Sequence, residues 1–307
     1  MATVQDQQQQ QQQTESGPRA HHAANAEAYE STHVHAVYEA IAPHFSSTRH
    51  SPWPRVAAYL AAQHAGAIGL DVGCGNGKYL DVNPALHMLG SDRSNELVRL
   101  ARSRGSASKD APATQNSNTT AERAEEKSSS GFIASGTEVA VADGLALPYR
   151  LGAFDFVICI AVVHHLSTKQ RRVEAIGELL SRLQPSSHTS PAAAGLFSEP
   201  AGSSTPGGND KDTPRGGSSH NKATGLVYVW ALEQSSSRRG WDEGSEQDTL
   251  VPWVMRAKGR PNETFQRYYH LYKEGELEED IVAAGGVVEQ SGYERDNWWA
   301  VFSRPQS

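Results

Sequence analysis

Apolar and polar positions recur along this chain with two periods. From His33 to Phe45, Val34, Val37, Tyr38 and Ile41 fall at i, i+3, i+4 and i+7, which predicts a short amphipathic helix ended near Pro43. A second helix is expected from Pro52 (PWPRVAAYLAA), because proline is tolerated in a first turn. The run 67–71 (AIGLD) reads as a strand closing on an acid, followed at once by a glycine turn. Residues 88–92 repeat the apolar strand ending in an acid, and Ser94 is placed to cap a helix carrying Leu97, Val98 and Leu100. Residues 138–143 give a third strand-to-acid unit. Residues 154–163 (FDFVICIAVV) are almost continuously apolar, as in a strand buried on both faces. A helix over 168–183, a buried strand over 225–232 and a helix over 277–284 follow. Val287-Val288 and residues 298–302 close the chain as an antiparallel pair, with Trp298 and Trp299 on opposite faces.

Strands alternating with helices predict an α/β fold. The sheet is expected to be doubly wound, mostly parallel, seven-stranded and Rossmann-like, with a terminal antiparallel hairpin. Ligands in such sheets bind at the carboxyl ends of the strands, where Asp71, Asp92, Asp143 and the pair His164-His165 fall. Three stretches break the pattern. Residues 1–30 carry an unbroken run from Gln7 to Gln13, residues 103–130 contain no Val, Ile, Leu or aromatic residue, and residues 186–222 hold 8 Ser, 6 Gly and 4 Pro. Segments so poor in apolar surface cannot offset the entropy of ordering. The expected organisation is a disordered Gln-rich tail over 1–30 and a single domain over 31–307, interrupted by low-complexity insertions at 103–130 and 186–222.

Composition removes several classes. No run of about 18 apolar residues exists, so no membrane-spanning helix is expected, and the polar N-terminus lacks the pattern of a secretory leader. Cys74 and Cys159 form no ligand spacing. No metal site is expected, and a reducing compartment is: the cytoplasm, with the nucleus as a second location. A net charge of -7 over 307 residues gives no support for nucleic-acid binding by bulk electrostatics. Local basic groups stand at Arg49 to Arg55, Lys169 to Arg172, Arg238-Arg239 and Arg256 to Arg260.

The glycine turn narrows the chemistry. Glycines after a first strand let backbone approach a ligand, and Asp92 lies 21 residues after Asp71, the spacing of a carboxylate that accepts ribose hydroxyls. A dinucleotide site would carry G-x-G-x-x-G. The loop here is Asp71-Val72-Gly73-Cys74-Gly75-Asn76-Gly77. It resembles the D-x-G-x-G-x-G loop of the class I methyltransferases, which bind S-adenosylmethionine. That resemblance implies cofactor contacts from Asp71, Gly73, Gly75, Gly77, Asp92, Arg93, Asp143 and Gly144.

Further blocks extend it: 33–54, 68–80, 90–94, 141–148, FDFVICIAVVHHLST (154–168), YVWALEQSSSRRG (228–240), RYYHLYKEGELEE (267–279) and GYERDNWWAVF (292–302). Together they resemble the tRNA wobble-uridine carboxymethyl methyltransferase family in its stand-alone form, and the last three are specific to it. The resemblance implies an enzyme that esterifies the carboxylate of carboxymethyluridine in the tRNA anticodon loop. It also implies activation by a small zinc-ribbon subunit, as a heterodimer.

Such a nucleophile is ionised at neutral pH, so positioning replaces a general base. His164, His165 and Arg239 are the candidates for that task. His44, Arg49, Arg238, Arg267, Tyr268, Tyr269 and Trp298 are the candidates for substrate or RNA contact, each with a packing or solvated reading beside it. The N-terminal segment with His33, His35, Tyr38, His44, Phe45 and Arg49 could equally close over the site or simply pack. Two other readings fit the cofactor loop: a small-molecule carboxyl or quinone-type methyltransferase, and a non-catalytic cofactor-binding scaffold.

Overall fold

In a computed structural model, the apolar runs form the centre of one sheet. The structure describes residues 25–49, 51–107, 138–185, 222–234, 241–242, 244–255 and 261–306. The strands are β1 (Ile68–Val72), β2 (His87–Asp92), β3 (Glu138–Val141), β4 (Phe156–Ile160), β5 (Thr224–Trp230), β6 (Asp248–Met255), β7 (Glu263–His270), β8 (Val287–Tyr293) and β9 (Asn297–Ser303). Seven of them make a sheet in the order β3-β2-β1-β4-β5-β9-β8. The first five are parallel, and β9 runs antiparallel to both β5 and β8. The expected sheet and its terminal hairpin are both present.

Alternation along β4 shows why the sheet is covered twice. Val157 and Cys159 face the cluster of Ile176, Leu179 and Ile281, supplied by α5 (Lys169–Arg182) and α6 (Glu276–Ala283). Phe156, Ile158 and Ile160 face Val56, Leu60 and Val98, supplied by α3 (Pro54–Ala61) and α4 (Asn95–Ala107). Burying one large aliphatic side chain contributes about 1.5–3 kcal/mol, so these two layers hold the sheet. Ser94 caps α4 as expected, its Oγ accepting from Leu97 N–H at 3.2 Å, and Thr168 does the same for α5. The end of α4 and the start of β3, like the end of α5 and the start of β5, lie at the edge where strands begin.

Three expectations need correction. The segment 1–30 is not wholly tail: α1 (Ala26–Glu30) continues through a π turn (Ser31–His35) into α2 (Ala36–Ser46). Glu30 is fully buried there. Its carboxylate accepts from Ser167 N–H (2.7 Å), Ser167 Oγ (2.9 Å) and the Arg171 guanidinium (2.8 Å), partners too distant in sequence for local composition to reveal. The helix also passes Pro43 and ends at Ser46, since proline costs only one hydrogen bond near a helix end. The insertion expected from 103 starts later, as α4 runs to Ala107. The tail over 1–24, and the insertions beyond Ala107 and Pro185, lie outside the described residues.

One element was not expected. β6 and β7 form a separate two-stranded antiparallel sheet, paired from Asp248↔His270 to Met255↔Glu263. Pro252 in the middle of β6 masks it in the sequence. His270 fastens this hairpin to the domain, bonded at 2.8 Å to Asp248 of β6 and at 2.8 Å to Glu276 of α6. Burial opposes ionisation of both acids, but hydrogen bonds from His270 outweigh it and hold each down at about 2.

Candidate functional site

The carboxyl ends of the parallel strands open into a cavity of about 460 Å³, roofed by α2 and walled by β7 and the β8–β9 turn. Its acid-lined end is built on the glycine turn. Gly73, Gly75 and Gly77 all take positive φ, at 73°, 56° and 74°. Gly73 and Cys74 N–H both donate to Ser91 O, at 2.7 and 2.9 Å, tying the turn to the end of β2. A Cβ on Gly73 would lie 2.2 Å from Val162 Cγ2, so only glycine fits there. A Cβ on Gly75 would meet only the Phe45 ring, at an ordinary 3.9 Å. Gly77 does not line the cavity; it packs on Ala101 of α4, so its place is structural.

Backbone donors aim the second acid. Asp92 Oδ2 accepts from Gly75 N–H at 2.9 Å and Oδ1 from Ser94 N–H at 2.8 Å, which leaves a lone pair on each oxygen. Asp143 accepts from Leu145 N–H at 2.9 Å and pairs with Arg93. Both lie on the cavity wall beside Gly144, whose added Cβ would make only an ordinary 3.7 Å contact. Asp71 is buried at the centre, with Oδ2 lacking any partner among the described residues. Burial lifts its carboxyl to about 7, Lys78 opposing and Asp92 adding to the shift. Burial first, then Arg49, lowers Lys78 to about 8.

The other end is aromatic. Trp230 and Tyr269 stack with centroids 4.4 Å apart, and both line the cavity with Tyr38, Trp53 and His165. His165 Nδ1 lies 2.8 Å from Tyr268 O, a pure acceptor, so Nδ1 carries the proton. Its Nε2 therefore accepts from Tyr38 Oη at 3.0 Å. Burial lowers this ring to about 3 and keeps it neutral. Tyr38 in turn accepts from Arg267 at 3.4 Å. His165 is thus spent on holding Tyr38 and the β7 backbone.

The other sequence candidates divide sharply. His164 is buried behind the wall, its Nδ1 accepting from Trp230 N–H at 3.0 Å, and it does not line the cavity. Nor do Tyr268, which donates to Asp248 at 2.6 Å, and Trp298, which donates to Glu233 at 3.1 Å. His44 accepts from Trp253 Nε1 at 3.1 Å, away from the cavity. Arg267 is buried among the rings of Trp253, Tyr269 and Tyr38, one layer back. Arg49 and Tyr269 do reach the cavity. Arg238 and Arg239 lie outside the described residues. Sequence reasoning missed Trp53, Lys78, Trp230, Gln234 and Asn297. The signal for Trp230 and Gln234 was their place near the end of, and just past, a predicted strand.

Comparison with known proteins fits this geometry. A family model described as "Methyltransferase domain" matches residues 70–189. The chain is 36% identical to the tRNA (carboxymethyluridine(34)-5-O)-methyltransferase of Saccharomyces cerevisiae, over 90% of this chain and 96% of that one. To the protein of the same name from Schizosaccharomyces pombe it is 35% identical, over 90% and 98%. The mouse protein of that name is 34% identical over 90% of this chain, which spans 44% of it. Among solved structures, the CcbJ methyltransferase of Streptomyces caelestis superposes with a TM-score of 0.53 at 10% identity, covering 84% of this chain and 92% of that one, a likeness of fold alone. Near-complete coverage of both fungal enzymes shows that the chain belongs to the tRNA (carboxymethyluridine(34)-5-O)-methyltransferase family.

Proposed function

We propose that the chain transfers a methyl group from S-adenosylmethionine to the carboxylate of 5-carboxymethyluridine at the tRNA wobble position, leaving the methyl ester. One observation carries this reading: among the described residues, the cavity's histidine at the aromatic end, His165, is no free base, while its other histidine, His35, stands with Arg93 and Asp143 at the acid-lined end. His165 is neutral with both nitrogens bonded inside the protein, and burial raises the Tyr38 hydroxyl well above its ordinary range. An alcohol or amine would need its proton removed, whereas a carboxylate is already ionised. The groups available instead are cations, Lys78 and Arg49, on the wall between the acid-lined and aromatic ends.

The acid-lined end fits the cofactor. Asp71 presents a buried oxygen without a partner, suited to a cationic ligand. Asp92 would take the ribose hydroxyls, Asp143 with Arg93 and Gly144 would border the base, and Gly73 and Gly75 would let backbone close on the amino-acid portion. When bound, S-adenosylmethionine supplies a methyl carbon on a sulfonium, electrophilic without protonation. The protein's own part is alignment and exclusion of water: α2 roofs the cavity, and the Tyr38–His165 bond fixes roof to floor.

Asp71 makes cofactor binding depend on pH. Between its ordinary 3.8 and about 7 the folded chain keeps a proton that the unfolded chain has released. Stability of the ligand-free protein therefore falls as pH rises through that window. A cationic ligand selects the ionised form, so affinity should run the other way: full above about pH 8 and falling about tenfold per unit below 7. Calorimetric titrations at both ends of this range check it; equal affinities would remove Asp71 from the cofactor site.

With a net charge of -7, the chain offers tRNA only local basic groups. This supports a heterodimer with a small zinc-ribbon subunit that completes the RNA surface; free, buried Cys74 and Cys159 suit a reducing compartment, the cytoplasm first and the nucleus second. Residues 31–307 act as one methyltransferase domain in this reading, joined by 26–30 of the nominal tail. The deciding experiment co-expresses the chain with that subunit and follows labelled methyl transfer into tRNA bearing carboxymethyluridine. Label in the anticodon loop that alkali removes supports the ester. Cofactor binding with no label in that RNA sinks the substrate assignment, and label in small metabolites instead would favour a small-molecule methyltransferase.

A further inference from the structure

Just past β5 the chain is pinned to the exit of β7. Tyr272 N–H donates to Trp230 O at 2.9 Å, and Leu232 N–H donates to Tyr272 O at 2.8 Å. Two residues on, Gln234 is 6% exposed and lines the cavity beside Trp230. Its Nε2 donates to Ala231 O at 2.8 Å. That bond settles which end of the amide is which, because a reversed amide would set two oxygens against each other. Oε1 has no hydrogen-bonded donor among the described residues. Gln234 therefore retains one acceptor and a second N–H to offer the cavity.

A second amide stands across the strands. Asn297 pairs with Trp230 in the β5–β9 register and also lines the cavity. Its Nδ2 donates to Arg295 O at 2.6 Å, which fixes this amide too, and its buried Oδ1 has no partner among the described residues. The stacked Trp230–Tyr269 pair is thus flanked by two oriented amides whose oxygens both lack donors. Gln234 sets a free acceptor beside a free N–H, and a flat heterocycle with an N–H beside a carbonyl complements that edge. Uracil has it: N3–H between O2 and O4. Cytosine presents a lone pair at N3, which would meet an amide oxygen head-on.

We propose that Gln234 reads the target base as uracil, its Oε1 accepting N3–H and its free amide N–H donating to a flanking carbonyl. The reading rests on the wobble-uridine function above and adds the residue that selects the base. Binding by the N3 edge leaves C5, on the far edge of the ring, to carry its carboxymethyl arm toward Gly73. Gln234 is then a specificity residue that touches substrate and leaves the cofactor alone.

The test uses anticodon stem-loops carrying 5-carboxymethyluridine or 5-carboxymethylcytidine, with the chain co-expressed with its zinc-ribbon subunit. The unaltered protein should prefer the uridine by about 100-fold in kcat/KM. Gln234→Leu should lose about 10- to 100-fold on the uridine and bring the preference down to a few-fold, with cofactor Kd unchanged within about twofold. Gln234→Met, which keeps the chain length, replaces the leucine variant if that one does not fold. Equal use of both RNAs by the unaltered protein overturns the proposal, as does a variant that keeps its preference or loses cofactor affinity instead. Transfer to neither RNA, with cofactor bound, overturns the wobble-uridine reading itself and the proposal with it.

Discussion

Gly73→Ala is expected to weaken cofactor binding by about 100-fold and to remove measurable methyl transfer. Two costs add at this position. A φ of 73° costs a side-chain-bearing residue about 1–2 kcal/mol. The new methyl would also sit 2.2 Å from Val162 Cγ2, and overpacking of that kind costs about 1–3 kcal/mol. The turn escapes both by leaving its native shape, so the penalty appears as a reduced fraction of binding-competent protein. The two costs can be separated. Adding Val162→Ala removes the 2.2 Å clash, leaving a tight 3.2 Å contact to Cβ and the strain, so the double variant should recover to within about tenfold of the parent. Gly177→Ala, on α5 away from the cavity and with nothing within 4 Å of the added methyl, serves as the silent control. Calorimetric titration of the four proteins decides it; a Gly73→Ala protein that binds like the parent would refute the account.

Glu30→Ala should be the most damaging change outside the cavity, lowering stability by about 3 kcal/mol. Its carboxylate is wholly buried and gathers Ser167 N–H, Ser167 Oγ and two atoms of Arg171. Removing it leaves a buried N–H unsatisfied and the guanidinium, 22% exposed, without its partner. Glu30→Gln keeps an acceptor for Ser167 and should cost roughly half as much. Because α1 runs through the π turn into the roof, the loss should appear first as faster amide exchange over residues 26–46. Denaturant unfolding and hydrogen exchange measure both effects. Uniform exchange across the domain, with no early opening of the roof, would deny Glu30 a clamping role.

The strand ends and glycine turn were legible because each is a local signal: a short apolar run, an acid, then residues free to take positive φ. The role of Glu30 was not, since its partners lie about 140 positions away and its neighbours read as polar tail. The β6–β7 hairpin hid behind Pro252 and a half-buried, irregular pattern. The histidine pair shows the limit most clearly. Its position after β4 was readable, but hydrogen-bond partners on β5 and β7 decide that His164 braces a strand and His165 braces the roof. Gln234 and Asn297 carry no pattern of their own; only a fixed amide orientation makes them informative.

The described residues that flank 108–137 and 186–221, Ala107 with Glu138 and Pro185 with Lys222, lie where strands start, while the cavity lies where strands finish. A five-residue strand such as β4 separates the two edges by about 17 Å. Length gained or lost between those anchors should therefore leave the groups that meet the reactants in place. The same separation makes both segments natural seats for an engineered reporter or affinity handle, and a graft there should leave turnover and base preference as they were.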